Sequence, residues 1–171
     1  VYVADRENNK IQKFDSLGNF IAEWKNEVIG QLYSVNINNY EKYLFGIDYV
    51  LSENLAPLGS DIIKFDLDLN LKTKFGRSGN YKGPKARYHD IQVDNEGNIF
   101  LTGTTTSDLN GKINNGDMDA FVIKLNSSGE EIWTKLFGTE LSDIAWGGTF
   151  DENVYLWGET HGNLNGQVNK N

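Results

Sequence analysis

Two stretches of this chain copy one another at a distance of 55 residues. Written without a gap, GTTTSDLNGKINNG (103–116) lies over GETHGNLNGQVNKN (158–171), sharing Gly, Thr, Leu, Asn, Gly and Asn, with Ile113 over Val168. The segments just ahead, NIFLTG (98–103) and NVYLWG (153–158), keep the same offset. A second set of copies lies upstream. KFDSLGNFIAEW (13–24) aligns without gaps on KFDLDLNLKTKF (64–75), and KLNSSGEEIWTKLF (124–137) follows the same plan with a small insertion. Lys13, Lys64 and Lys124 hold one place in that plan, and Asp61 and Asp119 begin what reads as the same strand. Self-similarity at a fixed period of this size marks a repeat architecture, in which each unit buries its apolar face only against a neighbour.

The repeated pieces are strands. In NIFLTG, Ile99 and Leu101 point one way and Phe100 and Thr102 the other; in DAFVIKLN, Phe121, Ile123 and Leu125 make one face and Val122 and Lys124 the other. This alternation is the pattern of half-buried strands, and no long segment carries a helical period. Aromatics at 12%, 18 Gly and only 2 Pro fit many short strands joined by Gly/Asn turns. Laid out in order, the strands group into quartets: a partial unit at about 1–24, whole units at 32–76 and 88–138, and a partial unit at 142–171. Four short antiparallel strands per 40–55 residues, repeated, is the reading of a β-propeller blade. The expected fold is therefore all-β, a partial propeller of two complete and two incomplete four-stranded blades. Its open sides are expected to meet the remaining blades of the same propeller or a self-associated copy.

Two family resemblances sit on these units. VYVADRENNKIQKFDSLGNFIAEW (1–24) resembles an NHL repeat. Residues 88–171 resemble the bacterial SBBP-type β-propeller repeat through DIQVDNEGNIFLTGTTTSDLNG, DAFVIKLNSSGEEIWTKLFGT and SDIAWGGTFDENVYLWGETHGNLNG. Residues 32–76 resemble it less fully, because YLFGIDYVLSENLAPLGSDIIKFD lacks the Leu-Asn-Gly loop. The resemblance implies a propeller of an exported or cell-surface bacterial protein and brings no catalytic residues with it. NHL propellers often bind proteins, and some bind RNA through a basic face that this chain does not show.

Charge and composition narrow the partners. A net charge of −8 and a pI near 4.7 repel phosphate backbones, which argues against nucleic acid. There is no Cys for a disulfide or a thiolate metal site. No apolar run reaches the ~18–20 residues of a membrane helix. The chain opens on VYVAD without a Met, so its natural start is expected upstream. The expected partner is a protein or a glycan, and the expected location is extracellular or at the cell surface.

Candidate sites are few. The loop SDLNGKINNGDMDAF (107–121) is dense in oxygen ligands, and Asn115, Asp117 and Asp119 are the residues that would hold calcium. From Asn115, an EF-hand count places Ala120 where Gly is wanted and Asn126 where Glu is wanted, so turn chemistry is the leading reading of the loop and calcium the alternative. No other cofactor is expected. GRSGNYKGPKAR (76–87) is the one basic cluster; Arg77, Lys82 and Arg87 are candidates for an acidic partner. Trp157 is a candidate contact, because the unit before carries the polar Thr102 in its place. His89 and His161, the only histidines, read as surface or loop residues, and acids such as Asp94, Glu96, Glu130 and Glu131 as solvated turn residues. The functional expectation is a non-catalytic interaction or scaffold segment. The alternative is a lyase- or hydrolase-like propeller enzyme with its site in the central channel.

Overall fold

A computed structural model describes residues 1–25, 31–38, 41–51, 57–76, 86–151 and 153–167. Its strands form four antiparallel sheets, each a simple meander. β1 (Tyr2–Asp5), β2 (Lys10–Phe14) and β3 (Phe20–Lys25) make a three-stranded sheet. β4 (Gln31–Asn38), β5 (Tyr43–Leu51), β6 (Pro57–Asp66) and β7 (Leu71–Gly76) make a four-stranded one. β8 (Ala86–Val93), β9 (Ile99–Thr105), β10 (Asp119–Leu125) and β11 (Glu131–Phe137) make the next, and β12 (Asp143–Phe150) pairs with β13 (Val154–Thr160). The fold is an all-β partial propeller, with two complete blades and two incomplete ones.

Neighbouring blades are stitched along their first strands. Ser34 Oγ donates to Asp90 Oδ1 at 2.7 Å, Asn36 Nδ2 donates to Gln92 Oε1 at 2.8 Å, and Gly148 N–H reaches Asp90 Oδ2 at 3.4 Å. β4, β8 and β12 thus stand side by side, while the last strands β3 and β7 are largely exposed. The sheets fan outward from their first strands.

This fan alters the expected burial. β9 is buried at every position, and β10 at every position except Lys124. The alternation expected of half-buried strands gives way because a middle strand of a blade is covered by a blade on each side. One apolar cluster (Phe45, Ile47, Ile62, Tyr88, Ile91, Phe121 among others) fills the space between the two complete blades. A second, around Ile11, Leu32, Leu44, Ile63 and Phe65, packs the first complete blade on the three-stranded sheet.

The turns are built alike. In each of four hairpins an Asp or Asn side-chain Oδ1 accepts the backbone N–H groups two and four residues on: Asp15, Asp66, Asp94 and Asn126, at 2.8–3.0 Å. Each turn has one left-handed residue, supplied by Gly18, Gly97 and Gly129, but by Leu69 in the second turn. These hairpins also fix the true register between blades. Lys64 and Lys124 both precede a bulge, so counting back from them Asp61 corresponds to Phe121 and not to Asp119. The expected equivalence of Asp61 and Asp119 is off by two positions, because β6 starts earlier, at Pro57.

Candidate functional site

Each first strand carries one extra residue. The pairing of β4 with β5 jumps from Leu32 to Ser34, that of β8 with β9 from Tyr88 to Asp90, and that of β12 with β13 from Ala145 to Gly147. The bulged residues are Tyr33, His89 and Trp146. A bulge turns its extra side chain out of the ladder, and three in succession aim three rings at one another. His89 stacks on Trp146 with centroids 4.9 Å apart and planes 12° apart, and on Tyr33 at 6.0 Å and 21°. Glycine at the facing position makes the bulge fit in two blades. A Cβ on Gly103 would collide with the Arg87 carbonyl, and one on Gly158 with the Ile144 carbonyl.

Beside this stack lies a cavity of about 170 Å³ lined by Tyr49, Arg87, His89, Thr104, Met118 and Trp146, with Thr106 and Ile144. The Arg87 guanidinium sits over the rings of Tyr33 (5.3 Å) and Tyr49 (4.9 Å), and its Nη2 donates to Tyr33 Oη at 2.6 Å. Among the described residues no carboxylate pairs with it. Three buried polar atoms around the cavity have no partner: Arg87 Nε, His89 Nε2 and Thr104 Oγ1. Buried polar groups are nearly always satisfied, so three orphans lining one cavity mark a place built to receive something.

The tautomer of His89 follows from its contacts. Its Nδ1 lies 2.9 Å from the Ala145 carbonyl oxygen, which can only accept, so Nδ1 carries the proton. Nε2 then presents a lone pair. Burial holds the His89 pKa below the ordinary imidazole value, and the Arg87 charge pushes it further the same way, against the Ala145 bond. The imidazole is therefore neutral at neutral pH, an acceptor beside the Arg87 donor. The expectation that His89 is a surface or loop residue is corrected here: it lies within β8, only 7% exposed.

The other sequence candidates are scattered. Trp157 is half exposed and lines a separate open groove with Trp133, Lys135, Leu156, Ala120 and Val122. Among the described residues β13 pairs only with β12, so its outer edge borders this groove. Arg77 and Lys82 lie outside the described residues, and only Arg87 of the basic cluster has a described setting. In the 107–121 loop Asp117 is exposed, while Asn115 donates its N–H (3.0 Å) and its Nδ2 (3.4 Å) to Asp119 Oδ2. A cation there would have to displace both donors. Asp119 has a neighbour that sequence reasoning missed. Met118 and Ser142 form a parallel bridge, and Asp143 N–H donates to the Met118 carbonyl at 2.7 Å. Asp119 and Asp143 thus begin their strands side by side. Both are buried, and each has an unpaired Oδ1. Burial raises the Asp119 pKa, the Asn115 bonds oppose this, and the Asp143 charge adds to the rise. Among the described residues no three His, Cys, Asp or Glu converge as a metal site.

Comparison with known proteins falls on the same strands. Residues 82–110 match the SBBP β-propeller repeat. The SBBP repeat spans β8 and β9, and so includes Arg87, His89, Gly103 and Thr104. No curated protein sequence matches the chain. Among solved structures it is similar to a protein of unknown function from Bacteroides caccae, with a TM-score of 0.51, 9% identity, and coverage of 84% of this chain and 48% of that one. It also aligns with hydrazine synthase of Kuenenia stuttgartiensis, with a TM-score of 0.35, 8% identity, and coverage of 79% and 45%. The first likeness supports the fold alone; the second carries no argument. The chain spans about half the length of these two structures.

The bulge residues were hidden in the sequence because Tyr33, His89 and Trp146 are three different residue types. Their spacing, 56 and then 57 residues, is the signal that could have found them.

Proposed function

We propose that this chain is the ligand-contacting part of a non-catalytic β-propeller that binds a protein or a glycan outside the cell. The observation that carries the reading is the bulge stack with its cavity: a half-exposed Trp146 on a rigid scaffold, next to unpaired donors and acceptors. Binding sites are commonly concave and largely preformed, with a few polar groups that fix orientation. Bulges are over-represented where a side chain has to be aimed. The exported location rests on the SBBP resemblance.

The test is a panel of oligosaccharides and peptides read by intrinsic Trp fluorescence and calorimetry. The 171-residue chain is compared with Trp146→Ala and with Trp157→Ala. Binding lost in Trp146→Ala and kept in Trp157→Ala supports the reading. Binding that survives Trp146→Ala unchanged overturns it.

A further inference from the structure

We infer that the cavity at Arg87, His89 and Thr104 holds the carboxylate-bearing ring of an acidic sugar, with the ring face on Trp146. This rests on the binding reading above and names the class of ligand.

The polar complement is specific. Arg87 Nε offers one N–H donor with a full positive charge, since the guanidinium has no described carboxylate partner and Nη2 is already spent on Tyr33. That calls for an anionic acceptor of low charge. His89 Nε2 offers a lone pair, because Nδ1–H is committed to Ala145. That calls for a donor, and a hydroxyl is the neutral donor a ligand can bring. Thr104 Oγ1 can serve either role. A uronate supplies all of these from one ring: a carboxylate, hydroxyls, and a C–H face that suits an indole. A simple carboxylic acid lacks the hydroxyl, and a neutral sugar leaves the Arg87 charge unanswered.

Size agrees. A cavity of about 170 Å³ is well below the ~300–1,000 Å³ that takes a drug-sized ligand, so one ring enters and the rest of a polymer lies over Trp146. The site is also local in its electrostatics. A surface of net charge −8 gives no general attraction for anions, so the selectivity has to come from Arg87 itself.

The experiment titrates oligogalacturonate, the matching neutral oligogalactose and an acidic peptide into the 171-residue chain by calorimetry. Arg87→Gln, His89→Phe and Thr104→Val are compared, with melting curves to confirm folding. Thr104→Val keeps the shape of the buried side chain and guards against a general packing defect. The uronate is expected to bind at least about tenfold more tightly than the neutral sugar. Arg87→Gln should abolish that preference, and Thr104→Val should weaken uronate binding. Binding should also fall on acidification through the His89 titration, where Nε2 stops accepting, and His89→Phe should flatten that profile. Equal binding of acidic and neutral sugars overturns the inference and leaves the binding reading standing. Response to the peptide alone does the same, while silence across the whole panel brings down both.

Discussion

Replacing Lys74 by Met should cost about 3 kcal/mol of stability at pH 7. Lys74 Nζ lies 2.8 Å from Asp48 Oδ2 and 3.1 Å from Asp61 Oδ2. The Asp48 side chain is fully buried and that of Asp61 only 6% exposed, whereas Lys74 is 24% exposed. One ammonium therefore holds two carboxylates inside the blade. Removing one partner of a buried pair costs about 3–5 kcal/mol, because the remaining charge is left uncompensated, and the partial exposure of Lys74 points to the lower end. With a urea slope of about 2 kcal/mol/M, the unfolding midpoint should drop by roughly 1.5 M. The loss should shrink on acidification. Burial raises the Asp48 pKa above its ordinary value of 3.8 despite Lys74, so the folded form takes up a proton before the unfolded chain does, and protonation relieves the stranded charge. The next blade offers a control. At the corresponding positions it carries Gly103, Phe121 and Thr134, with the Phe121 ring against Gly103. The triple change Asp48→Gly, Asp61→Phe and Lys74→Thr should recover most of the loss, as apolar replacement of buried ion networks often does. Urea unfolding followed by Trp fluorescence at pH 7 and pH 5 measures both. A Lys74→Met midpoint within about 0.3 M of wild type at pH 7 would refute the reasoning.

Gly103→Ala should destabilise by at least about 2 kcal/mol, since its Cβ would meet the Arg87 backbone carbonyl and not a movable side chain; denaturant titration against Gly111→Ala, whose Cβ meets nothing, separates clash from backbone strain. His89 contributes stability above its unfolded pKa of about 6.5. Its folded pKa is lower, so acidification below that point protonates the unfolded chain first, and a melting series should show stability falling there, with His89→Gln flattening the fall. Asp143→Asn should raise the melting temperature at pH 7, because it removes a like charge beside Asp119 and can offer an N–H to the unpaired Asp119 Oδ1. Calcium at Asn115, Asp117 and Asp119 is a separate proposal: a melting temperature that rises with calcium, falls with EDTA and loses both responses in Asp119→Asn would support it, and no calcium response would dismiss it.

The sequence by itself determined the repeat, the strands and the turns. These depend on residues close in the chain: alternating apolar side chains, Asn and Gly where the backbone turns left-handed, and Asp15, Asp66 and Asp94 capping their own hairpins. Copies such as Lys13, Lys64 and Lys124 then show that one local plan recurs. What the sequence left open is how residues some 56 positions apart meet. His89 read as a surface residue because nothing near it in the chain is a partner; its partners are Tyr33, Trp146 and the Ala145 carbonyl, from other strands. Asp119 read as a lone turn acid because Asp143 reaches it only through a parallel bridge across 24 residues. Even the pairing of Asp61 with Asp119 failed, since register is set by bulges that composition does not display. Local chemistry decides which segments become strands. Only the packing of blade on blade decides which side chains lose water together, and burial is what leaves Arg87 Nε, His89 Nε2 and Thr104 Oγ1 unpaired around one cavity.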